Sequence, residues 1–105
     1  MSKTDLFDLS GKTAIVTGGG NGIGKASCEL LAAHGANVVV SDLKLEDAEA
    51  AADQINKDGG KAITVSCNVT KDEDLVNVVK AAVDAFGGVE ILVNNAGGGG
   101  VQTLD

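Results

Sequence analysis

The chain has 105 residues, with fifteen acidic side chains against eight basic ones, all lysine, and it contains two cysteines but no tryptophan, tyrosine, proline or arginine. A formal charge of −7 and a pI near 4.4 offer no basic stripe to a nucleic-acid backbone and nothing to an anionic membrane surface. Its apolar content of 44% is that of a globular protein, its apolar runs fall far short of the ~20 residues a bilayer span needs, and its length fits one domain, residues 1–105.

After a polar leader, Lys12 to Thr17 is a β-branched run that stops at three glycines, which predicts a buried strand ending in a tight turn. Ile23, Ala26, Leu30 and Ala33 then recur at helical spacing, and Gly35 stands where a left-handed residue ends a helix. Asn37 to Asp42 is a continuous apolar run of the kind found in parallel strands covered on both faces. Leu45, Ala48, Ala52 and Ile55 mark a second helix, closed by Gly59-Gly60, and Lys61 to Cys67 reads as a third strand. Thr70-Lys71-Asp72-Glu73 has the pattern of a capping box, followed by an apolar face of Leu75, Val78, Val79, Ala82 and Phe86. Val89 to Val93 predicts a fourth strand, which runs into Asn94-Asn95-Ala96 and four glycines. Strict alternation with short connections predicts an α/β fold, a doubly wound parallel sheet of the order β-α-β-α-β-α-β that stops after the fourth strand and leaves its edge open.

Gly18-Gly19-Gly20-Asn21-Gly22-Ile23-Gly24 joins the first strand to the first helix, where main-chain N–H groups and the positive end of the helix dipole favour a pyrophosphate. Three patterns compete for this turn. The G-x-G-x-x-G fingerprint fails at Ile23, and a phosphate-binding P-loop fails at Ala26, which has no hydroxyl for Mg²⁺. The third, Thr17-Gly18-x-x-x-Gly22-Ile23-Gly24, is matched throughout. Asp42 ends the second strand roughly twenty residues beyond the turn, where a carboxylate accepts hydrogen bonds from an adenosine ribose and repels a 2′-phosphate. With no arginine to grip that phosphate, NAD is favoured over NADP, although Lys44 lies close by.

These motifs, with Asn94-Asn95-Ala96-Gly97, resemble the short-chain dehydrogenase/reductase family in order and interval, from about Leu9 to Gly100. The resemblance implies a partial Rossmann fold with NAD as cofactor, its pyrophosphate on Gly18, Gly22, Ile23 and Gly24 and its adenosine ribose on Asp42, with Leu43 adjoining. Where the family usually places an aspartate and a small apolar residue against the adenine, this chain has Asn68-Val69; an amide oxygen still accepts from the adenine amino group, without the help of a charge. Asn95, Ala96 and Gly97 match the stretch that braces the sheet and lines the cofactor, and a strand-end asparagine serving structure alone accounts for Asn95 equally well. The glycine run resembles the bacterial 7α-hydroxysteroid dehydrogenase branch, which implies a bulky alcohol or ketone as substrate.

Family members transfer hydride with a Ser, a Tyr and a Lys that follow the fourth strand, and a chain without tyrosine cannot assemble that site. The expectation is therefore the cofactor-binding front part of a longer enzyme, inactive alone, whose homo-oligomeric assembly belongs to the complete form. A stand-alone dinucleotide-binding module is the alternative from another class, and a P-loop phosphotransferase a third. Cys28 and Cys67 have no partners at metal-ligand spacing and read as reduced, mostly buried thiols. Together with the lack of an apolar leader in Met1 to Ser10, they predict a cytoplasmic protein without a metal. His34 reads as a helix-terminal imidazole, and Asp72-Glu73-Asp74 as an acidic first helical turn.

Overall fold

The computed structural model describes residues 8–95 and 101–103. Four strands, β1 (Thr13–Thr17), β2 (Asn37–Asp42), β3 (Lys61–Ser66) and β4 (Ile91–Asn94), run parallel, and β5 (Val101–Thr103) pairs antiparallel with β4. The spatial order is β3-β2-β1-β4-β5. Three helices, α1 (Gly22–Ala33), α2 (Leu45–Lys57) and α3 (Asp72–Phe86), connect the parallel strands. The register is continuous: Thr17 lies beside Ser41 of β2 on one flank and Asn94 of β4 on the other.

The apolar run of β2 is explained by the two faces it serves. Val38 and Val40 pack with Val16 and Val93 under α1 and α2, whereas Val39 turns to the opposite face with Ile15, where Val78 and Ala82 of α3 cover it. Successive strand residues point to opposite sides, so a strand roofed by helices on both sides is apolar without interruption. Full burial of each such valine contributes about 1.5–3 kcal/mol relative to exposure. Small residues let the helices approach the sheet: Cys28 on α1 and Ala48, Ala51 and Ala52 on α2 are all buried.

Four local expectations are corrected. The stripe foreseen on α1 is turned outward, with Ile23 77% and Leu30 62% exposed; Gly24 and Cys28 are buried instead, and Leu31 and Ala32 are partly buried against the core. Helical spacing is satisfied by either face; the choice falls to the face small enough to lie against the glycine turn. On α3, Val78 and Ala82 are buried while Leu75 and Val79 stay partly exposed, and on α2 Leu45 is exposed and Ala51 joins the core. The capping box does not form. α3 begins at Asp72 with Lys71 as its N-cap, because Thr70 is drawn back into a turn in which its N–H and hydroxyl both donate to Asn68 Oδ1, at 3.0 and 2.6 Å. The glycine-ended helices are as expected, with Gly35, Gly59 and Gly87 all at positive φ.

At the end of the sheet the fourth strand begins two residues later than its sequence pattern suggests and continues through Asn94. Its outer edge is paired by β5 rather than open. A three-residue strand following a glycine run carries too little periodicity to be seen in the sequence.

Candidate functional site

The site stands at the carboxyl ends of β1, β2, β3 and β4, where the strand order reverses direction on either side of β1; crevices of this kind are the usual ligand sites of open α/β sheets. The turn after β1 is built by close approach. A Cβ at position 24 would run into the Gly18 carbonyl oxygen and lie 2.8 Å from Asn95 Nδ2, and one at position 20 would lie 2.6 Å from the Asp47 Cβ. Gly18 and Gly22 meet a different requirement, with φ of +65° and +56°. The backbone is thereby held between Asn95 on one side and α2 on the other.

α1 starts at this turn with no carboxylate in its own first turn. Its N-cap, Asn21, makes no side-chain capping bond. The other two helices differ: α2 has Glu46 and Asp47 in its first turn, and α3 has Asp72, Glu73 and Asp74. A helix terminus whose main-chain N–H groups take no capping side chain is a seat for an external anion.

Asp42 is fixed on the rim of this seat. Its Oδ2 accepts from Gly20 N–H at 3.0 Å, and its Oδ1 accepts from Lys44 N–H at 3.0 Å. Gly19 N–H in turn donates to Ser41 O at 2.9 Å, so the end of β2 and the turn are joined twice. A carboxylate oxygen holding one donor keeps lone-pair capacity for another, which leaves Asp42 able to receive sugar hydroxyls. Beside it lies a cleft of about 280 Å³, lined by Gly18, Asp42, Leu43, Cys67, Asn68, Val69 and Thr70. Asn68 is locked there, its N–H donating to Asp74 Oδ2 at 2.9 Å and its Oδ1 occupied by Thr70. Burial pushes the Cys67 thiol above its ordinary range.

Asn95 closes the fourth side. Its N–H donates to Thr17 Oγ1 at 3.1 Å and its Nδ2 to Gly18 O at 3.4 Å, while the Thr17 hydroxyl reaches Asn94 Oδ1 at 3.1 Å. Of the residues selected from sequence, the structure therefore brings together Gly18, Asp42, Leu43, Asn68 and Val69 around one cleft, with Gly22 and Gly24 in the adjoining turn and Asn95 behind it. Ile23 is on the same turn but faces solvent. Ala96 and Gly97 lie outside the described residues. Sequence reasoning missed Asp47 and Asp74 as builders of the site: Asp47 reads in sequence as part of a solvated helix face with Glu46 and Glu49, and Asp74 as part of an acidic first helical turn.

A family model described as short chain dehydrogenase matches residues 12–105. The chain is 43% identical over 105 residues to a 7alpha-hydroxysteroid dehydrogenase of Escherichia coli strain K12, a match covering all of this chain and 41% of that protein. It is 49% identical over 91 residues to a 2,5-dichloro-2,5-cyclohexadiene-1,4-diol dehydrogenase of Sphingobium indicum, covering 87% of this chain and 35% of that one. A crystal structure of hydroxysteroid dehydrogenase from Escherichia coli superimposes with a TM-score of 0.87 at 44% identity, covering 93% of this chain and 42% of the other. The chain thus spans about two-fifths of the length of these relatives, and its sheet is the Rossmann-like α/β arrangement of that solved structure. The glycine turn, the acid ending β2 and the asparagines ending β4 agree with the match over residues 12–105, and the chain belongs to the short-chain dehydrogenase family.

Proposed function

We propose that this chain holds the adenosine diphosphate half of NAD. Members of the family use a nicotinamide dinucleotide, and the observation that carries the reading is the start of α1, uncapped by any side chain and with no acid in its first turn, beside the cleft of Asp42 and Asn68. The main-chain N–H groups of the turn at Gly18, Gly22, Ile23 and Gly24 would receive the pyrophosphate. Asp42 would receive the ribose hydroxyls, Leu43, Asn68 and Val69 the adenine, and Asn95, Ala96 and Gly97 the part of the cofactor nearer its nicotinamide. The carboxylate at 42 and the lack of arginine support NAD over NADP. When bound, the nicotinamide supplies a hydride donor or acceptor; this chain's share is to bind and orient it.

The reading extends to the whole protein as an oxidoreductase moving hydride between NAD and a secondary alcohol or ketone, a hydroxysteroid being the substrate class named for two of the relatives. The 105 residues contain no tyrosine to serve as the proton-transferring group, so they bind cofactor and turn nothing over by themselves. Homo-oligomerisation belongs to the complete enzyme. A cytoplasmic setting forms part of the same proposal, supported by two free, buried thiols that suit a reducing compartment and tested by cell fractionation.

Calorimetric titration tests the cofactor assignment. NAD⁺ and ADP are expected to bind with comparable affinity and NADP⁺ at least tenfold more weakly, while Asp42→Ala lowers NAD⁺ affinity about tenfold and narrows the gap to NADP⁺. Equal binding of NAD⁺ and NADP⁺ by the unaltered chain would overturn the role of Asp42, and failure to bind ADP would overturn the reading altogether.

A further inference from the structure

We propose that Asp47 is a positioning residue that keeps the anion seat at the start of α1 open by holding the Asn21 side chain away from it. The inference rests on the cofactor reading above. Asparagine is among the strongest N-cap residues, and its side-chain oxygen ordinarily accepts from the N–H of the second or third helical residue. Asn21 occupies that position in the extended conformation an N-cap requires, with φ −146° and ψ 157°, yet makes no such bond. Its Nδ2 instead donates to Asp47 Oδ2 at 2.8 Å, on a residue 26 positions away in sequence.

Asp47 is well placed to hold it. The residue is half-buried in the first turn of α2, and its Cβ and main chain occupy the space a side chain at position 20 would need. The acid is therefore packed against the turn. Asp42 secures the preceding residue through Gly20 N–H, so two carboxylates from one strand-to-helix connection hold two consecutive residues of the turn. The N–H groups of Ile23 and Gly24, which Asn21 would otherwise occupy, remain for an incoming diphosphate.

The test is a set of four variants titrated with NAD⁺ and with ADP. In Asp47→Ala the released Asn21 amide caps α1 and must be displaced, so affinity falls about three- to tenfold. Asn21→Ala, having no side chain to fold back, stays within about twofold of the unaltered chain, and the double variant Asn21→Ala/Asp47→Ala recovers the affinity of Asn21→Ala. Asp47→Asn retains an oxygen that accepts from Asn21 and retains affinity. If Asp47 merely supported the fold, the double variant would bind no better than Asp47→Ala, and that result overturns the proposal. Amide NMR provides a readout without ligand: the Ile23 and Gly24 resonances shift in Asp47→Ala and not in the double variant. Unmoved resonances in Asp47→Ala overturn the proposal even where nucleotide binds. If neither NAD⁺ nor ADP binds while the resonances move as expected, the cofactor reading fails and the hold on Asn21 stands.

Discussion

Gly22 and Gly24 are two residues apart in the turn and are glycines for unlike reasons. Gly22 has φ +56° with open space where a Cβ would be, so alanine there costs about 1 kcal/mol of backbone strain. At position 24 the same methyl meets a main-chain oxygen that cannot move without opening the turn, a close contact of the kind behind the largest single-residue losses. Urea unfolding should separate them: Gly22→Ala destabilises by about 1 kcal/mol and Gly24→Ala by about 3 kcal/mol or more, the latter with loss of NAD⁺ binding. The motif was legible in sequence, but not which glycine serves which purpose. Cys28 makes a different prediction. Burial, with Glu29 adding to it, pushes its thiol from an ordinary 9.0 to about 12. The unfolded chain therefore loses this proton first, and the folded state is fully favoured below pH 9 and loses stability as pH rises through about 12. Cys28→Ala should show a shallower alkaline decline in melting temperature than the unaltered chain over that interval.

Among the elements, β1 and β4 are joined at their ends by the Thr17 hydroxyl, which accepts from Asn95 N–H and donates toward Asn94. Thr17→Val removes that hydroxyl from a buried position while preserving the side chain's shape, and should cost about 1–2 kcal/mol, with Thr17→Ser retaining most of the stability. Chemical denaturation of the pair of variants checks it. The strands themselves were legible because a strand covered on both faces is apolar throughout, as at Val38, Val39 and Val40. Helix faces were harder to read. Ile23, Ala26, Leu30 and Ala33 have helical spacing, yet Gly24 and Cys28 face the sheet, because proximity to the turn favours small volume over apolar area. The site divided in the same way. Asp42 could be placed from its position at a strand end, whereas Asp47 acts through a contact with a residue 26 positions away and has no local signature.

For the molecule as a whole, the described surface exposes several large apolar side chains. Val76, Val79 and Val83 share one face of α3 with exposures of 64%, 46% and 47%, and Ile23 and Leu30 stand out from α1. Large exposed apolar patches mark surfaces that seek a partner. The chain should bind a hydrophobic dye such as ANS in its folded state, and Val76→Lys/Val83→Lys should reduce the fluorescence severalfold without altering far-UV circular dichroism. No helix among the described residues is long and apolar enough to cross a membrane. The central place of β1 has a kinetic consequence. Its turn lies at residues 18 to 24, but one wall comes from Asn95, 77 residues beyond Gly18 along the chain. Loop closure over such a distance is slow, and contacts of high sequence separation govern the rate of folding. A ribosome that has released the glycine turn has not yet supplied that wall, and the pocket waits until residue 95 has also emerged.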